Sequence, residues 1–347
     1  PKIDYLVPLP PQGMYTEPVD FVQEVWDEVD RIEEALAKGE RAYVIYKACI
    51  KDEPTSILKV KAPRIINSAP IGMQIVTRKY FLMLCRFMNM YPFLCESMVG
   101  INCMSPEWAQ HRKTLTKDET LLDRCFAIDY SNYDHRMPAQ MTFAVYDMFI
   151  KMCMASGNYS PRDEIIMRGI ATEAAYPFVA FNGTLVSYGG STISGTTLTV
   201  YQNNACNSLA QRCGFKQIEL EKTGKDVSFR SAVHAGNYGD DNKGTVERWV
   251  QHYNMVSYQK YMDAHGMKVT MADKSADMVP FVHWDSADFL KRFDVYIPEI
   301  GQHVGALDEK SIFKSLHSNL RSKSLSREEL AVACMTGAVH EFWGHGR

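Results

Sequence analysis

Apolar and polar positions alternate with helical spacing in several long stretches of the chain. Between Asp20 and Lys38 apolar residues recur every three or four positions, and Gly39 then ends the pattern, which predicts an amphipathic helix. A second helical segment is predicted over residues 67–98. A long helix is also expected to follow the glycine-containing stretch that starts at Ser194.

Other segments have the pattern of strands. Residues 125–130 and 232–246 are rich in apolar residues, and the second segment has Gly239 and Asp240 near its centre. A Gly-Asp pair between apolar flanks is typical of a β-hairpin. Helices and strands that are mixed in this way favour an α+β fold in which helices cover a sheet.

Composition narrows the classes of protein that need to be considered. The chain has 347 residues, 46% of them hydrophobic and 23% charged, which is typical of a globular protein of about two domains. No segment approaches the ~20 apolar residues that a membrane span requires. Nine cysteines without a CxxC pair argue against a disulfide framework or a zinc ribbon, and favour a reducing, cytoplasmic setting. Because the net charge is -3, a nucleic-acid partner requires a local basic patch.

Three aspartates, Asp129, Asp240 and Asp241, are candidates for metal chemistry, and a fourth, Asp134, lies near the first in sequence. Asp129 ends a predicted strand and Asp134 follows five residues later, whereas Asp240 and Asp241 lie at the tip of the predicted hairpin. Carboxylates at the ends of apolar strands are costly unless they are paired or bind a cation. If the two strands are neighbours, hard divalent cations such as Mg²⁺ relieve the repulsion and support phosphoryl transfer. An ordinary hairpin turn with a surface aspartate is the alternative that the residues leave open.

A basic segment over residues 47–66 is a candidate anion site. It has five positive residues and two negative ones, and its pattern alternates as in a strand. The positive residues are Lys47, Lys51, Lys59, Lys61 and Arg64. Such a face suits a triphosphate or an RNA backbone, although a solvated strand face explains the same pattern.

A polar loop before the long helix is a candidate site for reading a sugar hydroxyl or a base edge. The sequence SGTTLTVYQN has hydroxyl and amide side chains at Ser194, Thr199 and Asn203, next to the flexible Gly195. An ordinary capped loop is the competing interpretation.

Six segments in order along the chain resemble the motifs of one family. They are KDEPTSILKVKAPRII, AIDYSNYD, SGTTLTVYQN, GNYGDDN, MKVTMADKS and FLKRF. Together they are similar to motifs F, A, B, C, D and E of positive-strand viral RNA-dependent RNA polymerases, most like those of the picorna-like group. The resemblance extends over roughly residues 47–293.

The resemblance implies a right-hand polymerase fold, with an antiparallel palm sheet, fingers and a thumb. Because about 46 residues precede the basic segment and 55 follow Arg292, we expect the N-terminal fingers and the thumb to be incomplete. The expected division is partial fingers over 1–120, palm over 121–143, a fingers insertion over 144–188, palm over 189–290 and a partial thumb over 291–347.

The resemblance also implies roles for the aspartates and the basic residues. Asp129 and Asp240 are expected to hold two Mg²⁺ or Mn²⁺ ions, with Asp241 assisting, while an RNA 3′-hydroxyl attacks the α-phosphate of a nucleotide. Lys51, Lys61 and Arg64 match positions that line the nucleotide channel and neutralise the triphosphate. Lys274 matches a proposed general acid for pyrophosphate, and Lys268 is the alternative.

Further positions match residues that recognise the sugar and the primer. Asp134 is expected to accept a hydrogen bond from the ribose 2′-hydroxyl, helped by Ser194, Thr199 and Asn203. Reverse transcriptases have a bulky aromatic at this position, so Asp134 favours ribonucleotides. The segment from Phe289 through Leu290 and Lys291 to Arg292 resembles a primer grip, and a structural salt bridge is the alternative role of Arg292.

The expected partners are template and product RNA, ribonucleoside triphosphates, a protein primer and other viral replication proteins. The expected location is the host cytoplasm, at replication complexes, after release from a viral polyprotein. The alternatives are a non-catalytic RNA-binding scaffold of a replication complex and a reverse transcriptase.

Overall fold

The structure is a computed structural model that describes residues 2–11, 13–14, 17–53, 57, 63–271, 277–318, 322 and 324–346. Three lysines to which the sequence analysis gives roles, Lys59, Lys61 and Lys274, lie outside the described residues.

Strands and helices alternate through the described residues, as the sequence pattern predicts. The strands are β1 (Leu6–Pro8), β2 (Val19–Phe21), β3 (Ile45–Ile50), β4 (Ile65–Ser68), β5 (Cys125–Phe126), β6 (Asp129–Ser131), β7 (Phe178–Phe181), β8 (Thr184–Ser187), β9 (Val233–Tyr238), β10 (Asp241–Val246), β11 (Lys268–Thr270), β12 (Arg292–Ile297) and β13 (Gln302–Leu307). The helices are α1 (Gln23–Ala37), α2 (Ile71–Met90), α3 (Pro92–Cys95), α4 (Pro106–Leu115), α5 (Tyr133–Arg136), α6 (Ala139–Ala155), α7 (Pro161–Ala175), α8 (Thr199–Thr223), α9 (Phe229–Ala232), α10 (Met255–Ala264), α11 (Glu309–Leu316) and α12 (Arg327–Trp343). Among the helices in the described ranges, none is both long enough and apolar enough to cross a bilayer.

The chain forms two compact units, and the first comprises Pro1–Lys51, Pro63–Phe87 and Asp134–Gln202. It contains a four-stranded sheet in the order β4-β3-β7-β8, in which β3 and β7 are parallel and the other pairs are antiparallel. Helix α1 packs on α7, where the side chain of Leu36 lies against Gly169. The amphipathic helix predicted after Asp20 is therefore present, and its apolar face is buried.

The second unit includes Met88–Tyr133 and Asn203–Arg347. Its sheets are a three-stranded antiparallel sheet in the order β5-β10-β9, the pair β6-β11 and the hairpin β12-β13. The antiparallel sheet expected for a palm is thus observed. The division into fingers, palm and thumb segments stays a prediction, because compactness alone does not define those boundaries.

The predicted hairpin is confirmed in β9 and β10. Tyr238 pairs with Asp241, which leaves Gly239 and Asp240 as a two-residue loop. Gly239 has φ of +67°, and a glycine with positive φ at the first central position matches the twist of the flanking strands. The local sequence therefore determines that Asp240 lies at the tip of the turn.

The single strand predicted over 125–130 is instead two short strands. β5 pairs with β10, whereas β6 pairs with β11. Between them the side-chain amide of Asn242 donates to the carbonyl of Ile128 over 3.3 Å, in place of a backbone hydrogen bond between strands. The prediction of one continuous strand was wrong because the chain changes its pairing partner at this point.

The hairpin of β12 and β13 packs against α4 through a tryptophan on a glycine. Trp108 is 2% exposed, and a Cβ atom added at Gly305 would lie 2.7 Å from its ring. The indole also donates to Oδ1 of Asp294 over 3.0 Å, so the ring has little freedom to move away. Gly305 is needed for this close approach.

We expect Gly305→Ala to lower the free energy of unfolding by about 1–3 kcal/mol, because the added methyl group overpacks the contact with Trp108. Gly337→Ala is the matched control, since Gly337 lies in α12 with nothing within 4 Å of the added Cβ atom. That variant should gain up to about 1 kcal/mol from helix propensity. Urea denaturation measures both, and equal stability of the two variants would contradict the packing argument.

Candidate active site

Strand β10 lies next to the segment that leads to Asp129. Phe126 pairs with Gly244 in the β5–β10 ladder, and the side-chain amide of Asn242 donates to the carbonyl of Ile128, the residue before Asp129. Asp129 itself begins β6, which pairs with β11. Residues that are far apart in sequence therefore lie near the start of β10.

The electrostatics of Asp241 show that the carboxylates interact. Asp241 is half-buried, and burial raises its pKa to about 6, with the negative charges of Asp240 and Asp129 adding to the rise. The ammonium of Lys291 opposes this effect. The three aspartates of the sequence prediction therefore form one electrostatic group, in which Asp240 is the exposed member.

The donor set fits a hard divalent cation in an open site. Within the part of the chain that the structure describes, no three His, Cys, Asp or Glu side chains are grouped as a ready-made metal cage. Mg²⁺ rarely uses such a cage, because it keeps several waters and takes one or two carboxylates together with substrate phosphates. A divalent cation offsets the repulsion between carboxylates that lie close together.

Asparagine side chains of α8 hold the turn between β9 and β10. The backbone N–H of Gly239 donates to Oδ1 of Asn204. The side-chain amide of Asn207 donates to the carbonyls of Gly239 and Asp240, at 3.4 Å and 3.2 Å. These bonds fix the backbone that carries the exposed carboxylate.

Asn207 also contacts the strand that carries Asp129. The hydroxyl of Tyr130 donates to Oδ1 of Asn207 over 3.1 Å, and it also lies 2.9 Å from the hydroxyl of Tyr258. Asn207 is fully buried, and it therefore links the two segments that carry the carboxylates.

The residues of this amide row were not predicted from the sequence. The pattern is nevertheless visible there, because Asn204, Asn207 and Gln211 recur at positions i, i+3 and i+7 and so share one helix face. Gln211 continues the row by donating to Oδ1 of Asn237 over 2.9 Å. A row of amides on a buried helix face indicates polar partners that must be satisfied.

The segment predicted as a primer grip forms a tight turn. Phe289 and Arg292 exchange backbone hydrogen bonds of 2.9 Å and 3.0 Å, and Leu290 and Lys291 between them have φ of 58° and 61°. The side chain of Lys291 is exposed, and its charge acts on Asp241. The tip of the turn is therefore presented beside the carboxylates.

The outer residues of this turn have structural contacts. Phe289 is 2% exposed, so its side chain lies below the surface of the turn, and the RNA contact expected for it stays a prediction. Arg292 makes two hydrogen bonds to Glu341, at 2.8 Å and 2.7 Å, and one to the carbonyl of Gly305. The salt bridge that was the alternative for Arg292 is present.

A buried histidine lies beneath the turn. The ring of His111 stacks on Phe289 with centroids 5.4 Å apart, and neither ring nitrogen has a hydrogen-bond partner among the described residues. Burial lowers the pKa of His111 to about 4; Asp294 opposes the shift and Lys243 adds to it. The imidazole is thus neutral at physiological pH.

Asp134 and the loop residues predicted to read the sugar have defined local roles. Asp134 is half-buried in α5, and its carbonyl accepts from the N–H of Thr192 over 2.8 Å. Ser194 accepts from the N–H of Asn67 over 3.1 Å, and the hydroxyl of Thr199 donates to the carbonyl of Ile193 over 2.6 Å. The hydroxyls of Ser194 and Thr199 therefore shape the loop that precedes α8.

The remaining candidates are spread over both units. Asn203 is buried in the second unit, where its carbonyl accepts from the hydroxyl of Tyr133 over 2.9 Å. In the first unit the N–H of Lys51 donates to the carbonyl of Arg64 over 2.9 Å, which joins the two ends of the basic segment. Lys268, the alternative to Lys274, is exposed in β11 opposite Ser131.

The fold is that of a right-hand polymerase. A solved Sicinivirus 3Dpol RNA dependent RNA polymerase matches 99% of this chain and 70% of its own, with a TM-score of 0.74 and 17% sequence identity. The α+β polymerase fold expected from the motifs is confirmed.

Sequence comparison identifies the family. Residues 13–340 match the family described as viral RNA-dependent RNA polymerase, and the chain belongs to that family. The replicase polyproteins of Drosophila C virus and Cricket paralysis virus are 24% and 25% identical over 92% and 94% of this chain. The RNA1 polyprotein of Satsuma dwarf virus is 27% identical over 77% of it. The predicted resemblance to the picorna-like group is confirmed.

The relatives are much longer than this chain. The chain spans 18% of the Drosophila C virus polyprotein, 19% of that of Cricket paralysis virus and 13% of that of Satsuma dwarf virus. It therefore corresponds to one segment of each polyprotein.

The neutral, buried His111 predicts a pH-dependent stability. Its pKa is about 4 in the folded protein and ~6.5 when unfolded, so the unfolded state binds more protons between these values. The free energy of unfolding should fall by about 3 kcal/mol as the pH decreases from 7 to 4 through this residue alone.

His111→Phe should remove that contribution, because a phenyl ring fits the aromatic site without a titrating group. Urea denaturation at several pH values between 7 and 4 measures it. His340→Phe, on an exposed position of α12, is the control that should keep the wild-type slope. An unchanged slope in His111→Phe would refute the assignment.

Proposed function

We propose that this chain catalyses template-directed RNA synthesis for viral genome replication. The reaction is nucleotidyl transfer from ribonucleoside triphosphates to an RNA 3′-hydroxyl. The observation that supports the proposal is the electrostatic interaction of Asp129 and Asp240 with Asp241 at the start of β10, in a chain of the viral RNA-dependent RNA polymerase family.

Asp129 and Asp240 would hold two Mg²⁺ or Mn²⁺ ions, with Asp241 assisting. When bound, such ions lower the pKa of the attacking hydroxyl and stabilise the charge on the leaving pyrophosphate. Asn204 and Asn207 keep the turn of Asp240 in place, so the carboxylates do not need to reorganise when substrates arrive.

Other residues that match the family motifs would bind the nucleotide. Asp134 would accept a hydrogen bond from the ribose 2′-hydroxyl, and Ser194, Thr199 and Asn203 would help to recognise the sugar. Positive charges neutralise the triphosphate, and one lysine gives a proton to pyrophosphate as general acid. These basic residues are Lys51, Lys61 and Arg64 for the triphosphate and Lys274, with Lys268 as its alternative, for the proton.

The turn beside the carboxylates would contact the primer strand. We propose Lys291 at its tip as the main RNA contact, because its side chain is exposed and its pairing with Asp288 is a long surface contact of 3.4 Å. Leu290 beside it is half-buried, Phe289 is buried, and Arg292 is paired with Glu341. Lys291 brings a positive charge that suits the phosphate backbone of the primer end.

Template and product RNA and ribonucleoside triphosphates are the proposed partners, together with a protein primer and other viral replication proteins. Because the relatives are polyproteins, we also propose that the chain acts after release from a viral polyprotein, at replication complexes in the host cytoplasm.

Primer extension with Mg²⁺, run with ribonucleotides and deoxynucleotides side by side, tests the proposal. Metal-dependent incorporation of ribonucleotides is the expected result. Binding of primed RNA without incorporation would favour a non-catalytic scaffold, and a preference for deoxynucleotides would favour a reverse transcriptase.

Asp240→Asn should reduce incorporation on the order of 10³-fold or more. The change removes a metal-binding carboxylate that acts together with Asp129 and Asp241. Affinity for primed RNA should stay within about threefold, since Asp240 is exposed and the amide keeps the shape of the turn. Asp263→Asn, on an exposed position of α10, is the matched control and should extend normally. Wild-type extension by Asp240→Asn would exclude the two-metal assignment.

Asp134→Ala should reduce the preference for ribonucleotides over deoxynucleotides by about 10-fold or more, as expected for the loss of one hydrogen bond to a charged acceptor. Asp134→Asn keeps an acceptor and should retain an intermediate preference. Competition between the two nucleotide types in single-nucleotide extension measures the ratio. An unchanged ratio in both variants would count against the role of Asp134.

A further inference from the structure

An ion pair is buried beneath the turn that lies beside the catalytic carboxylates. Nζ of Lys243 is 3.3 Å from Oδ2 of Asp294, and their side chains are 1% and 0% exposed. Lys243 belongs to β10 and lies two residues after Asp241. Asp294 belongs to β12 and lies two residues after Arg292, the last residue of the turn.

Both charges of the pair have further partners. The ammonium of Lys243 donates to the carbonyl of Ala287 over 2.8 Å and lies 4.0 Å from the ring centroid of Trp284. The carboxylate of Asp294 accepts from the indole N–H groups of Trp108 and Trp284, at 3.0 Å and 2.8 Å. Each charge is therefore hydrogen-bonded in a definite direction.

Stability alone does not explain this pair. Burying two charges carries a desolvation penalty, and apolar residues of the same volume often hold a core equally well or better. A buried ion pair whose charges also make several hydrogen bonds instead holds the two strands that carry it in one relative position. The elements joined here are β10 and β12.

These two strands begin at the two parts of the proposed active site. Asp241 and Lys243 lie two residues apart in β10 and so share a face of the strand, as do Arg292 and Asp294 in β12. Lys243 also binds the carbonyl of Ala287, which precedes the turn. One ammonium thus contacts the chain on both sides of the turn.

The turn itself needs this support. Leu290 and Lys291 both have positive φ, which is unfavourable for residues other than glycine or asparagine and persists only where surrounding contacts impose it. Locally, the N–H of Lys291 donates to Oδ2 of Asp288 over 3.1 Å, and the buried contacts on either side of the turn add to that constraint.

We propose that Lys243 and Asp294 are positioning residues: their buried ion pair fixes the turn of Phe289–Arg292 relative to Asp240 and Asp241, and thereby sets where the RNA 3′ end lies. This inference rests on the proposed polymerase function and adds the element that aligns the primer with the metal-binding carboxylates.

The test compares Lys243→Met, Asp294→Asn and the double variant that carries both changes. Each single change leaves one buried charge without its partner, which lowers stability, so the uncharged double variant decides the question. Lys117→Met is the matched control, because Lys117 pairs with Glu247 over 2.6 Å, just beyond the other end of β10.

Three quantities are measured for each protein. They are the melting temperature, the single-turnover incorporation rate at saturating nucleotide, and the fluorescence of 2-aminopurine at the 3′ end of a primer bound to its template. The fluorescence reports the environment of the primer end without any chemical step.

In the double variant we expect the melting temperature to return to near the wild-type value. Its incorporation rate should stay about 10- to 100-fold low, as for a misplaced reacting group, with the nucleotide KM within about threefold. The 2-aminopurine signal should differ from that of wild type. Lys117→Met should keep a rate within about twofold of wild type and an unchanged signal.

A double variant that regains rate, fluorescence and melting temperature together would overturn the inference, because the pair would then be only structural. If the wild-type protein extends no primer, the proposed function fails instead. The inference is then judged by the fluorescence alone, and equal signals in wild type and the double variant overturn it.

Discussion

The placement of three carboxylates near one another is the constraint on which the candidate site depends. Burial raises the pKa of Asp241 to about 6, and the negative charges of Asp240 and Asp129 add to that rise. The backbone keeps them together because strand pairing and the amides of α8 fix both segments. A cation that binds such a group gains from interactions that the protein has already arranged.

Some residues of the candidate site are buried and held in place, and others are exposed. Asn207, Tyr130 and Lys243 are buried and directionally bonded, whereas Asp240 and Lys291 are exposed at the tips of two turns. Groups that meet substrates lie on short loops, and strands or helices below them supply the fixed geometry. This arrangement suits the proposed reaction, in which a primer end and a nucleotide must be aligned.

Local sequence accounts for much of the fold because the decisive interactions are short-range. Gly239 imposes the hairpin turn, the apolar spacing after Asp20 gives α1, and the polar loop at Ser194 does precede α8. The break between β5 and β6 at Ile128 could not be predicted from local sequence. It involves a hydrogen bond from the side-chain amide of Asn242, which lies more than a hundred residues further along the chain.

By itself, the sequence determined the family and the acidic residues of the candidate site, because ordered motifs and turn chemistry are local properties of the chain. Tertiary structure decided which side chains are exposed. It buried Phe289, engaged Arg292 with Glu341, and joined Lys243 to Asp294. Burial and ion pairing depend on contacts between segments that are distant in sequence. A local pattern of residues does not show which distant segments will pack together.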